Sequence, residues 1–298
     1  MLVKSSEQIE ALAVMKSLDG RVSFGEKEER YFRNWLSGAL GEQMVEDGAA
    51  CLDGYVARIH DLVIVEDRTC QIDALWIGSQ TVYLLEVKHW DGVFTVDAQG
   101  FQVIVHDPLS QLERTKRMVE RILKRMGVGL MVEARLIFTN PNMTLYGLSE
   151  EMPIVMPSQI ERYFQKIRVA ESPISEWQIR LGKKLAALHA SRNPHQNLMA
   201  YSRESVRSGI LCGVCRVPMS VRCRWKLACP KCGMVEKKAD GFYRTQKELE
   251  ILFPEIARKP VELRRWMGDM ISEKTIYRLT RTWLLDDVRF YWLIRTWL

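Results

Sequence analysis

The stretch Cys70–Trp90, CQIDALWIGSQTVYLLEVKHW, constrains this chain more than any other. It reads as two adjacent strands joined at Gly78-Ser79-Gln80. Four polar residues, Gln71, Asp73, Glu86 and Lys88, interrupt its apolar run. Side chains two apart on a strand share a face, so Gln71 goes with Asp73 and Glu86 with Lys88. With a loop of about four residues, Gly78 to Thr81, Asp73 falls opposite Glu86 and Gln71 opposite Lys88. All four then converge on one patch, while Ile72, Ala74, Tyr83, Leu85 and Val87 point to the other face.

Two neighbouring carboxylates repel, and one stays protonated unless a cation lies between them. Carboxylate oxygens suit Mg²⁺ or Mn²⁺, completed by substrate phosphate. A bound metal lowers the pKa of its water and stabilises the charge of an in-line displacement. Lys88, two residues from Glu86, is placed to polarise the attacking water or to hold a phosphate. The chemistry expected is metal-dependent phosphodiester hydrolysis. The competing reading is solvated charge on a half-exposed sheet face. The strongly apolar Val82-Tyr83-Leu84-Leu85 just before Glu86 weighs against it.

Asp73, twelve residues, then Glu86-x-Lys88 resembles the PD-(D/E)XK nuclease signature. More specifically, Gly41-Glu42-Gln43, Gln71-Ile72-Asp73 and Glu86-Val87-Lys88-His89-Trp90-Asp91-Gly92 resemble the nuclease-related domain, NERD, over residues 36 to 140. The absence of a proline before Asp73 is usual for that branch. The resemblance implies an α/β fold, a restriction-endonuclease-like mixed sheet flanked by helices. It implies Glu42 as a helix-borne acid, Asp73 and Glu86 as Mg²⁺ or Mn²⁺ ligands, and Lys88 as the catalytic lysine. Through Pro108-Leu109-Ser110-Gln111 it places Gln111 at the edge of the site. Gln71 and Gln111 would orient substrate or lysine, and Glu46, one turn beyond Glu42, is an alternative helix-borne acid. DNA is the implied partner.

Farther along, Cys212-x-x-Cys215 and Cys229-x-x-Cys232 are separated by thirteen residues. Two such pairs hold one tetrahedral Zn²⁺ as four thiolates, a closed structural site. Gly213, Pro230 and Gly233 suit the tight knuckle turns. The segment resembles a small zinc ribbon of the topoisomerase C-terminal type. Its core is small, so metal is expected to supply much of its folding free energy. It would present Arg216, Arg222, Arg224, Trp225, Lys226 and Lys231, basic residues around an aromatic that suit a nucleic-acid backbone and base stacking. The alternative is a protein-docking knob. Cys223 reads as a non-ligand, and Cys51 and Cys70 as buried thiols.

The net charge of +6 suits a polyanion without requiring one. Residues 111–125 carry six Lys/Arg against two Glu, and Arg114, Lys116 and Arg117 among them are candidate phosphate contacts. Solvated helix faces are the other reading of such clusters. The five histidines read as satisfied or solvated residues rather than ligands. No apolar run reaches the length needed to span a bilayer, and no signal-peptide layout opens the chain, so a cytoplasmic protein without membrane contact is expected.

The 298 residues divide into N-terminal helices (1–35), a nuclease-like domain (36–190), a linker (191–208), the ribbon (209–240) and a helical tail (241–298). Helices are expected at 5–18 and 24–40, a further helical stretch at 38–53, and helices from Pro108 to Met126, from a Ser158 cap to Ile167, and at 177–189. Gly41 either breaks its helix or is packed tightly in a longer one. Strands are expected at 55–66, 92–96, 102–105 and 134–139, with Pro153–Met156 a further apolar run. A polar break at 190–197 precedes the second half. In the tail, 261–266 and 271–279 read as helix, turn, helix, with Ser272 as cap, a DNA-binding layout. The aromatic-rich end, Trp283 to Trp297, reads as packing or as a surface for a protein partner or a second copy. The expected protein is a Mg²⁺- or Mn²⁺-dependent DNA nuclease. The alternatives are a non-catalytic DNA-binding adaptor that keeps the fold and a regulator working through the tail.

Overall fold

The computed structural model describes residues 1–4, 8–66, 68–97, 99–102, 107–190 and 201–285, without the side chains of 8–11, 269 and 282–285. Most of the expected strand at 102–105, the break at 191–197 and the aromatic end beyond 285 lie outside the described residues, as does the Trp283 side chain. The elements in the first two-thirds of the chain are β1 (Leu2–Lys4), α1 (Gln8–Leu18), α2 (Glu26–Gly48), β2 (Ala57–Val65), β3 (Thr69–Ile77), β4 (Thr81–Lys88), β5 (Gly92–Asp97), β6 (Gly100–Phe101), α3 (Pro108–Arg125), β7 (Met131–Phe138), β8 (Met143–Tyr146), β9 (Ile154–Val155), α4 (Ile160–Ala170) and α5 (Glu176–Ala186). Then follow β10 (Ser220–Val221), β11 (Lys226–Ala228), β12 (Val235–Lys237), α6 (Lys238–Leu252), α7 (Pro254–Ala257), α8 (Pro260–Met267) and α9 (Glu273–Leu285). They pack as two compact units, Met1–Ile9 with Arg33–Asn197 and Glu10–Phe32 with Leu198–Leu298.

The first unit is built on a six-stranded mixed sheet in the order β1-β2-β3-β4-β7-β9. β2, β3 and β4 form an antiparallel meander, and β1, β7 and β9 join their neighbours in parallel. A parallel neighbour needs a crossover, and α3 supplies it between β4 and β7. Asp107 caps α3 by accepting from Ser110 N at 2.7 Å, Pro108 opens it, and Leu112, Met118, Val119, Ile122 and Leu123 are buried as their spacing predicts. They pack with Ile59, Leu75 and Leu84 of the sheet. A second cluster joins Ala74, Trp76, Tyr83 and Leu85 to Val45 of α2 and Phe164 of α4. Burying each such large apolar side chain contributes about 1.5–3 kcal/mol.

Strand alternation breaks at one place. In β2, Ala57 and Ile59 lie in the α3-side cluster, and so do Leu62 and Ile64, so odd positions give way to even ones. In β3, Ile77 and Leu75 share that cluster with Ile72. The register is nevertheless continuous, with His60 paired to Ala74 and Leu62 to Ile72. Asp61 lies at the changeover, with φ of 49°. That left-handed residue turns the strand over, and β3 follows it. Ile72 therefore packs with Leu75, opposite to the expectation from plain alternation.

Other differences are local. The two expected helical stretches at 24–53 merge into α2, which ends in a 3-10 turn at Ala49–Leu52. Gly41 lies inside it, and a Cβ there would meet Thr139 Oγ1 at 2.9 Å and His89 Cβ at 3.0 Å, so the glycine permits close packing on the sheet. Ser158 is no cap: a 3-10 turn at Pro157–Gln159 precedes α4. The short strands β1 and β8 carry too few residues to show a period.

In the second unit, α1 does not stand apart with its neighbours as an N-terminal layer. Leu18 shares one core with Ile210, Leu227 and Cys229 of the ribbon and with Phe242, Leu263, Trp266 and Ile276 of the tail helices. The ribbon strands form a three-stranded antiparallel sheet, β10-β11-β12. The ribbon therefore shares a larger core than its own length could build. Among the described residues no helix is long and apolar enough to cross a membrane.

Candidate active site

The β3–β4 ladder runs from Ile77–Val82 to Ala74–Leu85 and stops. The next pair in register is Asp73 with Glu86, as the loop length predicted. Here the strands part, and Asp73 Oδ2 accepts the backbone N–H of Val87 at 2.8 Å. Gln71 does not face Lys88, because no ladder continues that far. Its Nε2 donates instead to Asp61 Oδ1 at 3.0 Å.

Glu86 is 3% exposed. Its Oε1 accepts from Lys88 Nζ at 2.6 Å and from Gln111 Nε2 at 2.7 Å. Gln111 reaches it from the first turn of α3, which follows from the Asp107 cap and Pro108. Glu42 approaches from α2 and is the helix-borne acid of the cluster, interacting electrostatically with Asp73, Asp61, Glu86 and Lys88. Glu46 lies one turn later on α2, and its backbone carbonyl accepts from Arg58. Asp61 was missed by motif reasoning. The available signal was a lone acid inside the apolar strand ARIHDLVIV.

Burial, and then the charge of Glu86, push the Asp73 carboxyl up to about 8. Burial followed by the charges of Asp73, Asp61 and Glu86 holds Glu42 well above the usual carboxylate range. Glu86 is raised by burial, a shift opposed by Lys88 and Gln111. For Lys88, burial favours the neutral amine, but the charges of Glu86 and Asp73 outweigh it and keep the ammonium protonated. One ammonium does not balance this many acids. Among the described residues, Glu42, Asp73 Oδ1 and Glu86 Oε2 carry no hydrogen bond. Mutually repelling carboxylates around one lysine leave the cluster with excess negative charge.

Residues 37–139 match the family model of NERD, the nuclease-related domain. The similarity to NERD covers this segment alone. No curated protein and no solved structure matched the chain.

Beside the acid cluster, the NERD-like segment has a groove of about 840 Å³ that begins at Gln71 and Gln111 and runs along α3. Arg114 and Arg117 line it, with Arg68, Arg121 and Lys124. Lys116 does not; it leans toward Glu120 at 3.9 Å. Arg117 is paired with Glu113 at 3.0 Å on the exposed face.

Outside the NERD-like segment, the Sγ atoms of Cys212, Cys215, Cys229 and Cys232 lie within 4.8 Å of one another and can hold a metal ion. An ion about 2.3 Å from four sulfurs needs them about 3.8 Å apart. The Cys212–Cys232 and Cys215–Cys229 separations are 3.6 and 3.3 Å. Gly233 follows the second pair with φ of 74°, as a knuckle turn requires. In the first pair that position is Arg216, at φ 56°, and Gly213 has no such role. Arg216 is accordingly not presented to solvent. It binds Glu248 at 2.6 Å and the carbonyl of Asp19 at 3.0 Å. Arg222, Arg224, Trp225 and Lys226 are exposed around the β10–β11 turn, with the Arg224 guanidinium 4.7 Å from the Trp225 ring centre. Cys223 is exposed and outside the cluster.

Proposed function

We propose that the chain is a metal-dependent nuclease acting on DNA phosphodiester bonds. The observation that supports this most is the set of uncommitted carboxylate oxygens on Glu42, Asp73 and Glu86 around Lys88, inside a NERD domain. Asp73 and Glu86 would hold Mg²⁺ or Mn²⁺, with Glu42 completing the set. The metal when bound supplies an acidified water and neutralises developing phosphate charge. Lys88 keeps its proton beside Glu86, so it serves as an electrostatic donor to the attacked phosphate or its water. Gln111 fixes the Glu86 carboxylate through Oε1, which would leave Oε2 for the metal. Arg114 and Arg117 lie along the groove where neighbouring phosphates would run, and Lys116 is the weaker candidate.

The four-cysteine cluster would hold one structural Zn²⁺. The exposed Trp225, flanked by Arg222, Arg224 and Lys226, would stack on a base while the cations meet the backbone. In the tail, α8 and α9 are joined by five residues, 268–272, and α9 exposes Lys274, Tyr277 and Arg278. That face suits DNA contact as well.

The test is cleavage of linear and circular, single- and double-stranded DNA with Mg²⁺, with Mn²⁺ and with EDTA, beside Glu86→Ala. Metal-dependent cleavage lost in the variant supports the nuclease. A folded, zinc-loaded protein that binds DNA and cuts none of these substrates would replace it with the adaptor.

A further inference from the structure

The sheet of the first unit has two faces, and the acid cluster uses one of them. Glu86 lies on the α3 side, where Gln111 reaches it and Leu84 packs. Tyr83 and Leu85 lie on the other side, in one core with Phe164 of α4. The parallel register with β7 sets Glu133 beside Tyr83 and Arg135 beside Leu85. On this second face a cavity of about 720 Å³ opens between β7, α4 and the loop before β9. Small-molecule sites have volumes of roughly 300–1,000 Å³. Ile154, Val155 and Ile167 give the cavity a buried apolar lining.

Its cations set it apart. Arg135 from β7 and Arg162 and Lys166 from α4 all line it. Arg162 and Lys166 are one turn apart, and no acid lies three or four residues from either along the helix. Like charges at that spacing oppose each other. Among the described residues neither has a hydrogen bond or an ion pair. Arg135 donates through Nε to Glu133 Oε1 at 2.9 Å, and its two terminal nitrogens carry no hydrogen bond. The Tyr163 hydroxyl donates to the same Glu133 oxygen at 3.2 Å, so that acid is already engaged. Glu150 is the other acid of the lining, and it has no partner among the described residues. Uncommitted donors therefore outnumber uncommitted acceptors around a cavity with an apolar side. One guanidinium fork satisfies a carboxylate, whereas a phosphate has oxygens enough for several cations at once.

We propose that this cavity binds the phosphate group of a small molecule, with Arg162 and Lys166 on the phosphate and Arg135 beside them. It lies on the opposite face of the sheet from Glu86, so its ligand is separate from any phosphodiester held at the acid cluster.

Inorganic phosphate, adenosine monophosphate and adenosine are titrated calorimetrically into the full-length protein without Mg²⁺ or Mn²⁺. The variants are the double substitution Arg162→Gln with Lys166→Gln, then Glu150→Gln, and Arg114→Gln in the α3 groove. All four side chains are exposed, and thermal melts show that the variants are folded. The expected result is binding of phosphate and of the nucleotide but not of adenosine. The double variant should weaken it about tenfold or more, and Arg114→Gln should leave it within about twofold. Glu150→Gln should tighten it about two- to fivefold, because an opposing charge is removed. A nucleotide bound more tightly than phosphate assigns the apolar lining to the nucleoside, and equal affinity assigns the site to the free anion. Unchanged affinity in the double variant, loss in Arg114→Gln instead, or no binding by the wild type would overturn the site.

Discussion

Asp73 accepts the backbone N–H of Val87 at 2.8 Å, so a carboxylate substitutes for a ladder partner at the point where β3 and β4 part. One acid thereby ends the ladder, fixes the local backbone of the E-x-K strand and keeps Oδ1 without a hydrogen bond. Substituting it tests structure and chemistry together.

The pH dependence of Asp73 has a definite sign. Its carboxyl is pushed up to about 8 in the folded chain by burial and by Glu86. In the unfolded chain it titrates at about 3.9. Between those values the folded state keeps a proton that the unfolded state has released, so stability falls as pH rises from about 4 to about 8. Without Mg²⁺ or Mn²⁺, Asp73→Asn should flatten that fall in thermal melts compared across the window. Added Mg²⁺ should stabilise the wild type more near the upper end of it. A pH slope unchanged by the substitution would mean that Asp73 is ionised in the folded protein.

Replacing Gly41 by alanine should destabilise, against the normal trend. In an ordinary helix interior that change gains up to about 1 kcal/mol. Here the new Cβ would lie 2.9 Å from Thr139 Oγ1 and 3.0 Å from His89 Cβ. The expected loss is about 1–3 kcal/mol by urea denaturation. Weaker Mn²⁺ binding should accompany it as Glu42, the next residue, is displaced. A stabilised Gly41→Ala would show that α2 has room to spare.

Lys88→Ala should slow cleavage about a hundredfold or more while leaving DNA affinity within a few-fold. The ammonium sits 2.6 Å from Glu86 inside the cluster and contributes little to the groove. Single-turnover rates and an equilibrium binding curve on the same oligonucleotide separate the two effects. Cleavage that persists in this variant would mean that the active site lies elsewhere.

In the second unit, Glu248→Ala should cost about 3–5 kcal/mol. Arg21 and Glu248 are 1% and 2% exposed at their side chains, and Glu248 also holds Arg216 at 2.6 Å. Removing the acid leaves two guanidinium groups without their shared counter-charge. The denaturant midpoint of this unit measures the loss. A change below about 1 kcal/mol would show that water reaches the pair.

Trp225→Ala should weaken single-stranded DNA binding by about 1–3 kcal/mol with the zinc content unchanged. The ring is 62% exposed, so folding does not depend on it. Cys229→Ser, by contrast, should remove the metal, read as zinc per chain. If Trp225→Ala binds as wild type does, the ribbon surface serves another partner.

Much of the site is legible in sequence because it depends on short-range geometry. The loop over 78–81 sets the register of Asp73 against Glu86, and a capped α3 places Gln111 one turn in. The helix carrying Glu42 is visible from its pattern. What is not legible depends on contacts between distant segments. Nothing near Gly41 says that Thr139 and His89 lie beneath it. Arg216 reads as a surface cation until Glu248 is brought beside it. Gln71 reads as a partner of Lys88 until Asp61 takes its hydrogen bond. The face change at Asp61 hides from periodicity altogether, since it depends on one dihedral angle.

That face change also limits how this hairpin can be rewritten. Deleting a residue at 61 would restore plain alternation to β2 while leaving β3 turned over, so the two strands would present opposite patterns to one core. A matching deletion at 73 or 74 would be needed to repair the packing, so the two strands can be regularised only together.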